Sequence, residues 1–320
     1  MPTKMKLMSL NGNSELSKRI AEYMGMPLLD CTISHFSDGE ISINLNESVR
    51  GCNVYLLDSV AEPVNTNWME LLIAIDCLKR ASANSVAAVL PYFSYTRADR
   101  KSRSREPITA KLFANLIEMT EIDRVITMDM HAEQIQGFFD MPVDHLKAMP
   151  LFERYFHDKE ANSDVVVVAP SHSSSKRARE LAEVFDSQIA IIDQRKDSKT
   201  NVPDIVGNVE GKVCIIMDDL IDTGTRLINT ARALNVAGAS TIYAAATHAI
   251  FSGDAAKRLN DSIIEEIVVT DSVVVDDDKD FDKLVKLSVA PMFGDAINSI
   301  EKCESTHYLF TMRDDVDIVE

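Results

Sequence analysis

The chain has 320 residues, with 33 basic against 50 acidic side chains and a net charge of −17. That balance excludes a broad nucleic-acid-binding face, which needs basic surface to offset phosphates, and argues against attachment to an anionic membrane. No apolar run approaches the ~20 residues needed to span a bilayer, and 46% hydrophobic content with 11 glycines and 10 prolines excludes disorder.

The amino-terminal MPTKMKLMSLNGNSEL has no apolar signal core. Five scattered cysteines (Cys31, Cys52, Cys77, Cys214, Cys303), with no CxxC, read as reduced thiols. Both features point to a cytoplasmic protein. The length suits two domains.

Short β-branched runs alternate with amphipathic stretches along the chain. Strands are predicted over 53–58, 85–90, 124–129, 164–169, 189–193, 212–217, 240–246 and 265–270. Helical patterns fall between several of them, over 69–80, 109–119, 176–185 and 226–237. Apolar strands alternating with helices imply an α/β fold whose parallel sheets are covered by helices. NVYLLDSVAEPVN and the helix and strand after it can be laid on KVCIIMDDLIDTG and its successors. Both copies read strand, polar loop, helix, small-residue turn, strand. A duplicated unit places a boundary near 149/150, giving domains 1–149 and 150–303, with a tail 304–320 expected to pack back on the first domain.

The segment VCIIMDDLIDTGTR (213–226) carries the most chemistry. A buried strand ends in Asp218 and Asp219, a turn with Asp222, Thr223, Gly224 and Thr225 follows, and a helix begins. Open α/β sheets bind ligands at the carboxyl ends of their strands. Helix-start N–H groups cradle a phosphate, and glycine allows close approach. Paired carboxylates repel a phosphate unless they face hydroxyls or a metal. The economical assignment puts phosphate on the loop and a ribose diol on Asp218 and Asp219. The plainer alternative is that Asp222 and Thr223 only cap the helix.

This segment resembles the ribose 5-phosphate loop of phosphoribosyltransferase-type folds. FSDGE (36–40), RGCNVYLLDS (50–59), SREPITAKL (104–112) and MDMHAEQIQGFFDMPVDHL (128–146) narrow the resemblance to the ribose-phosphate diphosphokinases, or PRPP synthases. The resemblance covers nearly the whole chain. It implies two tandem phosphoribosyltransferase-type (Rossmann-like) domains and transfer of the diphosphoryl group of Mg-ATP to the anomeric hydroxyl of ribose 5-phosphate, giving PRPP and AMP. Mg2+ is the implied cofactor, and a homo-oligomer, a hexamer of dimers, the implied assembly.

Residue by residue, the resemblance assigns ATP contact to Phe36, Asp38, Gly39 and Glu40, with Phe36 stacking on adenine in a neighbouring subunit's site. The plainer alternative is a simple turn at Asp38–Gly39. It assigns ATP also to Arg97, Ala98 and His131, where Ala98 replaces the family's glutamine. Arg97 belongs to a basic cluster with Arg100, Lys101, Arg103 and Arg105, a triphosphate site or a solvated face. His131 and Asp129 match the metal-associated string, Asp129 being placed to orient the histidine. Ser48, Arg50, Ser82, Gln136, Asp144, Ser305 and His307 match a regulatory phosphate or ADP region.

Three positions depart from the family. Ser171 stands where an aspartate holds magnesium, and a hydroxyl is a poor replacement for a hard anionic ligand. Ser173 and Ser174 replace paired glycines, in a turn suited to binding a phosphate or capping a helix. Gln194 stands at the usual lysine and Lys196 at the usual arginine of a mobile catalytic loop, leaving Arg195 and Lys196 as its catalytic cations. Losing a preorganised charge of this kind costs a few kcal/mol of barrier. In the sugar-phosphate loop DTGTR, Thr225 and Arg226 replace the final Gly and Thr of the family's DTGGT or DTAGT, and Arg226 either binds phosphate or blocks it. The departures keep a second assignment open, a weak or inactive paralogue regulating an active one. A PRPP-consuming transferase shares only the DDLIDTGT element.

Overall fold

The computed structural model describes residues 4–196, 203–311 and 317–319, apart from the side chains of Gln194, Arg195 and Lys196. The chain forms two compact units. One gathers residues 1–147, 272–274 and 289–309; the other gathers 148–271, 275–288 and 310–320. The division is therefore not the single cut expected near 149/150. The segment 289–309 belongs with the first unit and the end of the chain with the second.

The first unit contains β1 (Lys4–Ser9), α1 (Ser14–Tyr23), β2 (Cys31–His35), β3 (Ile41–Leu45), β4 (Cys52–Leu57), α2 (Val64–Arg80), β5 (Ser85–Leu90), α3 (Thr109–Glu118), β6 (Arg124–Met128) and β7 (Val143–Leu146). Its five-stranded sheet runs β1-β4-β5-β6-β7, parallel throughout. β4 and β5 read as apolar runs because helices cover both faces. Trp68 anchors this core against Phe93 and Phe113, and its indole N–H donates to Ser94 Oγ at 2.8 Å. Asn13 caps α1 by accepting from the Leu16 N–H at 3.1 Å. The late helix Ala290–Glu301 joins this unit by packing on α1. Tyr23 Oη donates to Asp295 at 2.8 Å, and a Cβ at Gly294 would lie 2.5 Å from the Tyr23 ring, so only glycine permits that approach.

The second unit contains α4 (Met149–Glu160), β8 (Val165–Ala169), α5 (Ser175–Val184), β9 (Ile189–Lys196), β10 (Pro203–Val206), β11 (Val213–Ile221), α6 (Thr225–Val236), β12 (Thr241–Ala249), α7 (Ala255–Asn260), β13 (Glu266–Thr270), β14 (Leu284–Leu287) and β15 (Ile318–Val319). Its sheet runs β10-β9-β8-β11-β12-β13-β14-β15. The six inner strands are parallel, and β10 and β15 close the edges antiparallel.

All eight predicted strands form, with ends shifted by a few residues. The larger extensions concern the site. β11 runs on to Ile221, because Asp218, Leu220 and Ile221 keep pairing with Ala246, His248 and Ala249 of β12. β9 runs on to Lys196, whose backbone pairs with Pro203. Gln194, Arg195 and Lys196, expected on a loop, therefore have strand backbone. The rest of that loop, 197–202, lies outside the described residues.

Candidate active site

β11, an inner strand paired on both sides, carries Asp218 and Asp219 buried, 4% and 5% exposed. Asp218 Oδ1 accepts from Ser174 Oγ at 2.8 Å and from the Asp219 N–H at 3.1 Å. Its Oδ2 lies 3.3 Å from Arg226 Nη2. Burial pushes the Asp218 carboxyl up to about 6, helped by the charge of Asp219, while the Arg226 guanidinium and the Ser174 hydroxyl pull it back. A carboxylate offers roughly four lone-pair sites. The Ser174 hydroxyl, the Asp219 N–H, the Arg226 guanidinium and the neighbouring Asp219 side chain engage them.

Of the two readings of the serine-rich turn, phosphate binding or helix capping, Ser174 does not perform the second. It is the N-cap of α5, yet its side chain makes no cap bond and turns to Asp218 instead. Ser171 Oγ stands 2.8 Å from Ser173 Oγ and 3.0 Å from Ser174 Oγ, so the three hydroxyls form one chain that ends on the acid.

The turn after β11 brings Asp222, Thr223, Gly224 and Thr225 to the start of α6. Gly224, not Asp222 or Thr223, is the N-cap, with φ +71° and no side chain to offer. A left-handed residue here turns the chain sharply into the helix. A Cβ at this position would also press on Leu259 at 3.1–3.3 Å. Arg258 of α7 holds the turn from behind, donating to Thr223 O and Thr225 Oγ1, each at 3.2 Å. Arg226, on the first turn of α6, has a side chain 43% exposed, so its guanidinium spans from the buried acid to solvent. Sequence reasoning identified the loop but missed both the Ser174–Asp218 bond and the Arg258 brace. Their partners lie 44, 35 and 33 residues apart, with no local signal joining them.

In the first unit, β2 and β3 form a two-stranded antiparallel hairpin with Phe36, Asp38, Gly39 and Glu40 at its tip. The Phe36 N–H donates to Glu40 O at 2.8 Å, the Gly39 N–H to Phe36 O at 2.9 Å, and the Glu40 N–H to Asp38 Oδ1 at 3.2 Å. The tip is thus a self-bonded turn, and it holds Phe36 out at 60% exposure. Arg97 and Ala98 follow β5 in the irregular segment before α3, where the Ala98 N–H donates to Tyr95 O and Ala98 O accepts from Ala110. Arg97, Arg100, Lys101, Arg103 and Arg105 are all exposed. Asp129, 6% exposed with φ +40°, and His131 follow β6. Among the described residues no group of three or more His, Cys, Asp or Glu is placed to hold a metal ion.

The candidate regulatory residues fall into separate groups. The Gly51 N–H donates to Ser82 O at 2.9 Å and the Arg50 N–H to Ser48 Oγ at 3.3 Å, which unites Ser48, Arg50 and Ser82. Asp144 pairs with Arg124, and the Gln136 amide lies 3.2 Å from His145 Nδ1. His145, which sequence reasoning did not single out, also accepts the Met130 N–H at 2.9 Å. The bond described for Ser305 and His307 is local, the His307 N–H donating to Ser305 Oγ at 3.2 Å. The side chains of Gln194, Arg195 and Lys196 lie outside the described residues.

Comparison with known proteins fits this layout. Residues 5–120 match the model of the N-terminal domain of ribose phosphate pyrophosphokinase, and residues 196–311 match the phosphoribosyl synthetase-associated domain. The ribose-phosphate pyrophosphokinase of Listeria ivanovii is 52% identical over 309 residues, covering 96% of this chain and 97% of that protein. A putative ribose-phosphate pyrophosphokinase 2 of Lactiplantibacillus plantarum is 51% identical over 97% of both chains, and the Bacillus subtilis (strain 168) ribose-phosphate pyrophosphokinase 48% over 96% and 97%. The crystal structure of phosphoribosylpyrophosphate synthetase from Mycobacterium smegmatis superposes with a TM-score of 0.90 at 37% identity, over 94% of this chain and 100% of that one. The α/β architecture is thus that of two tandem phosphoribosyltransferase-type domains, and the chain belongs to the ribose-phosphate pyrophosphokinase family.

Proposed function

We propose that this chain transfers the diphosphoryl group of ATP to the anomeric hydroxyl of ribose 5-phosphate, releasing AMP and forming PRPP. The observation that carries this reading is the end of β11, where a buried acid pair stands two residues before a glycine-capped turn at a helix start. Asp218 and Asp219 accept the ribose hydroxyls. The N–H groups at the start of α6 receive the 5-phosphate. Oriented this way, the sugar reacts by positioning and charge neutralisation rather than by covalent chemistry on the protein.

The first unit binds ATP. Phe36 stacks on adenine, Asp38 and Glu40 line the base, and Arg97 meets the phosphates. A stacking residue held out at the tip of a hairpin suits a neighbouring subunit's nucleotide, which supports a homo-oligomeric active unit. Asp129 and His131 provide one carboxylate and one imidazole at a strand end. That sparse donor set fits Mg2+, which keeps waters and arrives on the nucleotide phosphates rather than in a protein cage. Mg2+ neutralises the phosphates when bound, and Asp129 and His131 are the residues that would hold it. Arg195 and Lys196 supply positive charge to the transferring group. Among the described residues no helix is long and apolar enough to cross a membrane, in keeping with a cytoplasmic site of action.

Relatives at about 50% identity that carry the name of the activity favour an enzyme over a non-catalytic subunit. The purified chain with saturating Mg-ATP and ribose 5-phosphate is expected to form AMP and PRPP in equal amounts. No AMP, or ADP in its place, would overturn the reading. Ser171→Asp with Gln194→Lys should raise kcat by about a hundredfold if the lost charges limit the rate.

A further inference from the structure

We propose that Arg226 is a specificity-determining residue of the sugar site, bridging the buried acid pair and the phosphate of the incoming sugar. The proposal rests on the reading of this site as a ribose 5-phosphate site.

Three observations lead to it. First, Arg226 Nη2 stands 3.3 Å from Asp218 Oδ2, on the carboxylate oxygen opposite the one bonded to Ser174 and the Asp219 N–H. A guanidinium has five donors in a fixed fork, so contact through one nitrogen leaves the rest available. Second, the side chain is 43% exposed while that of Asp218 is 5% exposed. The unused donors therefore face the side from which a ligand enters. Third, Arg226 sits on the first turn of α6, directly after the Thr223–Gly224–Thr225 turn, at the helix end whose partial positive charge favours an anion.

The electrostatics give the pairing a purpose. Two buried carboxylates without a counter-ion would repel a phosphate dianion brought to the adjoining turn. Arg258 is engaged elsewhere, donating to Thr223 O and Thr225 Oγ1 and pairing with Asp254, and has no described contact with Asp218. Arg226 supplies one positive charge between the acids and the turn. The site then accepts a molecule that carries hydroxyls at one end and phosphate at the other. The competing role is a plug, in which Arg226 occupies the hydroxyl position and must leave before the sugar binds.

Calorimetric titration of ribose 5-phosphate into the full chain, the Arg226→Gln variant and the Arg226→Lys variant separates these roles. Charge-assisted phosphate contacts of this kind are worth at least about tenfold in affinity. Arg226→Gln is expected to weaken binding by that factor or more, with Arg226→Lys in between, and to flatten the dependence of affinity on salt. A structural contribution alone would not change the salt dependence, and matched thermal unfolding of the variants checks that they fold. Unchanged or tighter binding by Arg226→Gln would overturn the proposal and establish the plug. No binding of ribose 5-phosphate by the unaltered chain would instead overturn the sugar-phosphate reading itself.

Discussion

Each unit buries a pair of acids, Asp218 and Asp219 on β11 in the second and Asp58 after β4 with Glu70 on α2 in the first, and the two pairs are treated in opposite ways. In the second unit, Asp218 receives a hydroxyl from Ser174 and a half-exposed guanidinium from Arg226. In the first, Asp58 and Glu70 are 2% and 1% exposed and are sealed by the main chain. The Gly12 N–H donates to Asp58 Oδ1 at 2.9 Å, and Asn11 donates to Glu70 through both its main-chain and side-chain nitrogens at 2.8 Å. A Cβ at Gly12 would lie 2.3 Å from Asp58 Oδ1, so the seal depends on glycine. Among the described residues Asp58 Oδ2 has no hydrogen-bond partner. Burial and the charge of Glu70 push Asp58 up to about 8, against about 6 for Asp218. A neighbouring cation and a hydroxyl keep a buried acid ionised and useful; without them the fold holds it as a neutral, structural group.

The comparison breaks first at the acid pair itself. Asp218→Asn with Asp219→Asn keeps the shape but removes both charged acceptors. Loss of paired charged hydrogen bonds to a substrate is expected to lower kcat/KM for ribose 5-phosphate by about a thousandfold or more. Steady-state rates at varied ribose 5-phosphate read this, and a drop below tenfold would mean the acids do not hold the sugar.

The second effect lies in the first unit and depends on pH. The folded Asp58 binds its proton up to about pH 8, whereas an unfolded aspartate releases it near 3.8. Stability contributed by this group is therefore greatest below the unfolded value and is lost as pH rises between the two. Asp58→Asn mimics the protonated form at every pH. Relative to the unaltered chain, it is expected to gain stability on the order of 4 kcal/mol between pH 5 and pH 9, at about 1.4 kcal/mol for each pH unit up to the folded value. Urea unfolding at the two pH values measures the gain, and a pH-independent difference would refute the neutral assignment.

The smallest effect concerns the turn that presents the phosphate. Gly224→Ala strains a residue at φ +71° and presses on Leu259. It is expected to cost about 1–2 kcal/mol of stability and to raise KM for ribose 5-phosphate. A variant with unchanged KM would show that the turn does not hold the phosphate.

Much of this contrast was legible in the residues. Strands such as 165–169 and 213–217 announce themselves as unbroken Val/Ile runs because both faces of a parallel sheet are buried. The β2–β3 hairpin gives no such signal, since its burial is partial on both strands. DDLIDTGT read correctly as strand, turn and helix start, because glycine and paired acids have few other reasons to meet there. The settings of the two acid pairs were not legible. Ser174 reaches Asp218 across 44 residues and Asn11 reaches Glu70 across 59, so what decides whether an acid is charged comes from neighbours that only the fold brings near.

The most direct test of the contrast is calorimetric binding of ribose 5-phosphate at neutral pH to the full chain, to Asp58→Asn and to Asp218→Asn with Asp219→Asn. The account predicts equal binding by the first two and none by the third. Retained binding by the doubly substituted chain, or loss of binding in Asp58→Asn with its fold intact, would contradict it.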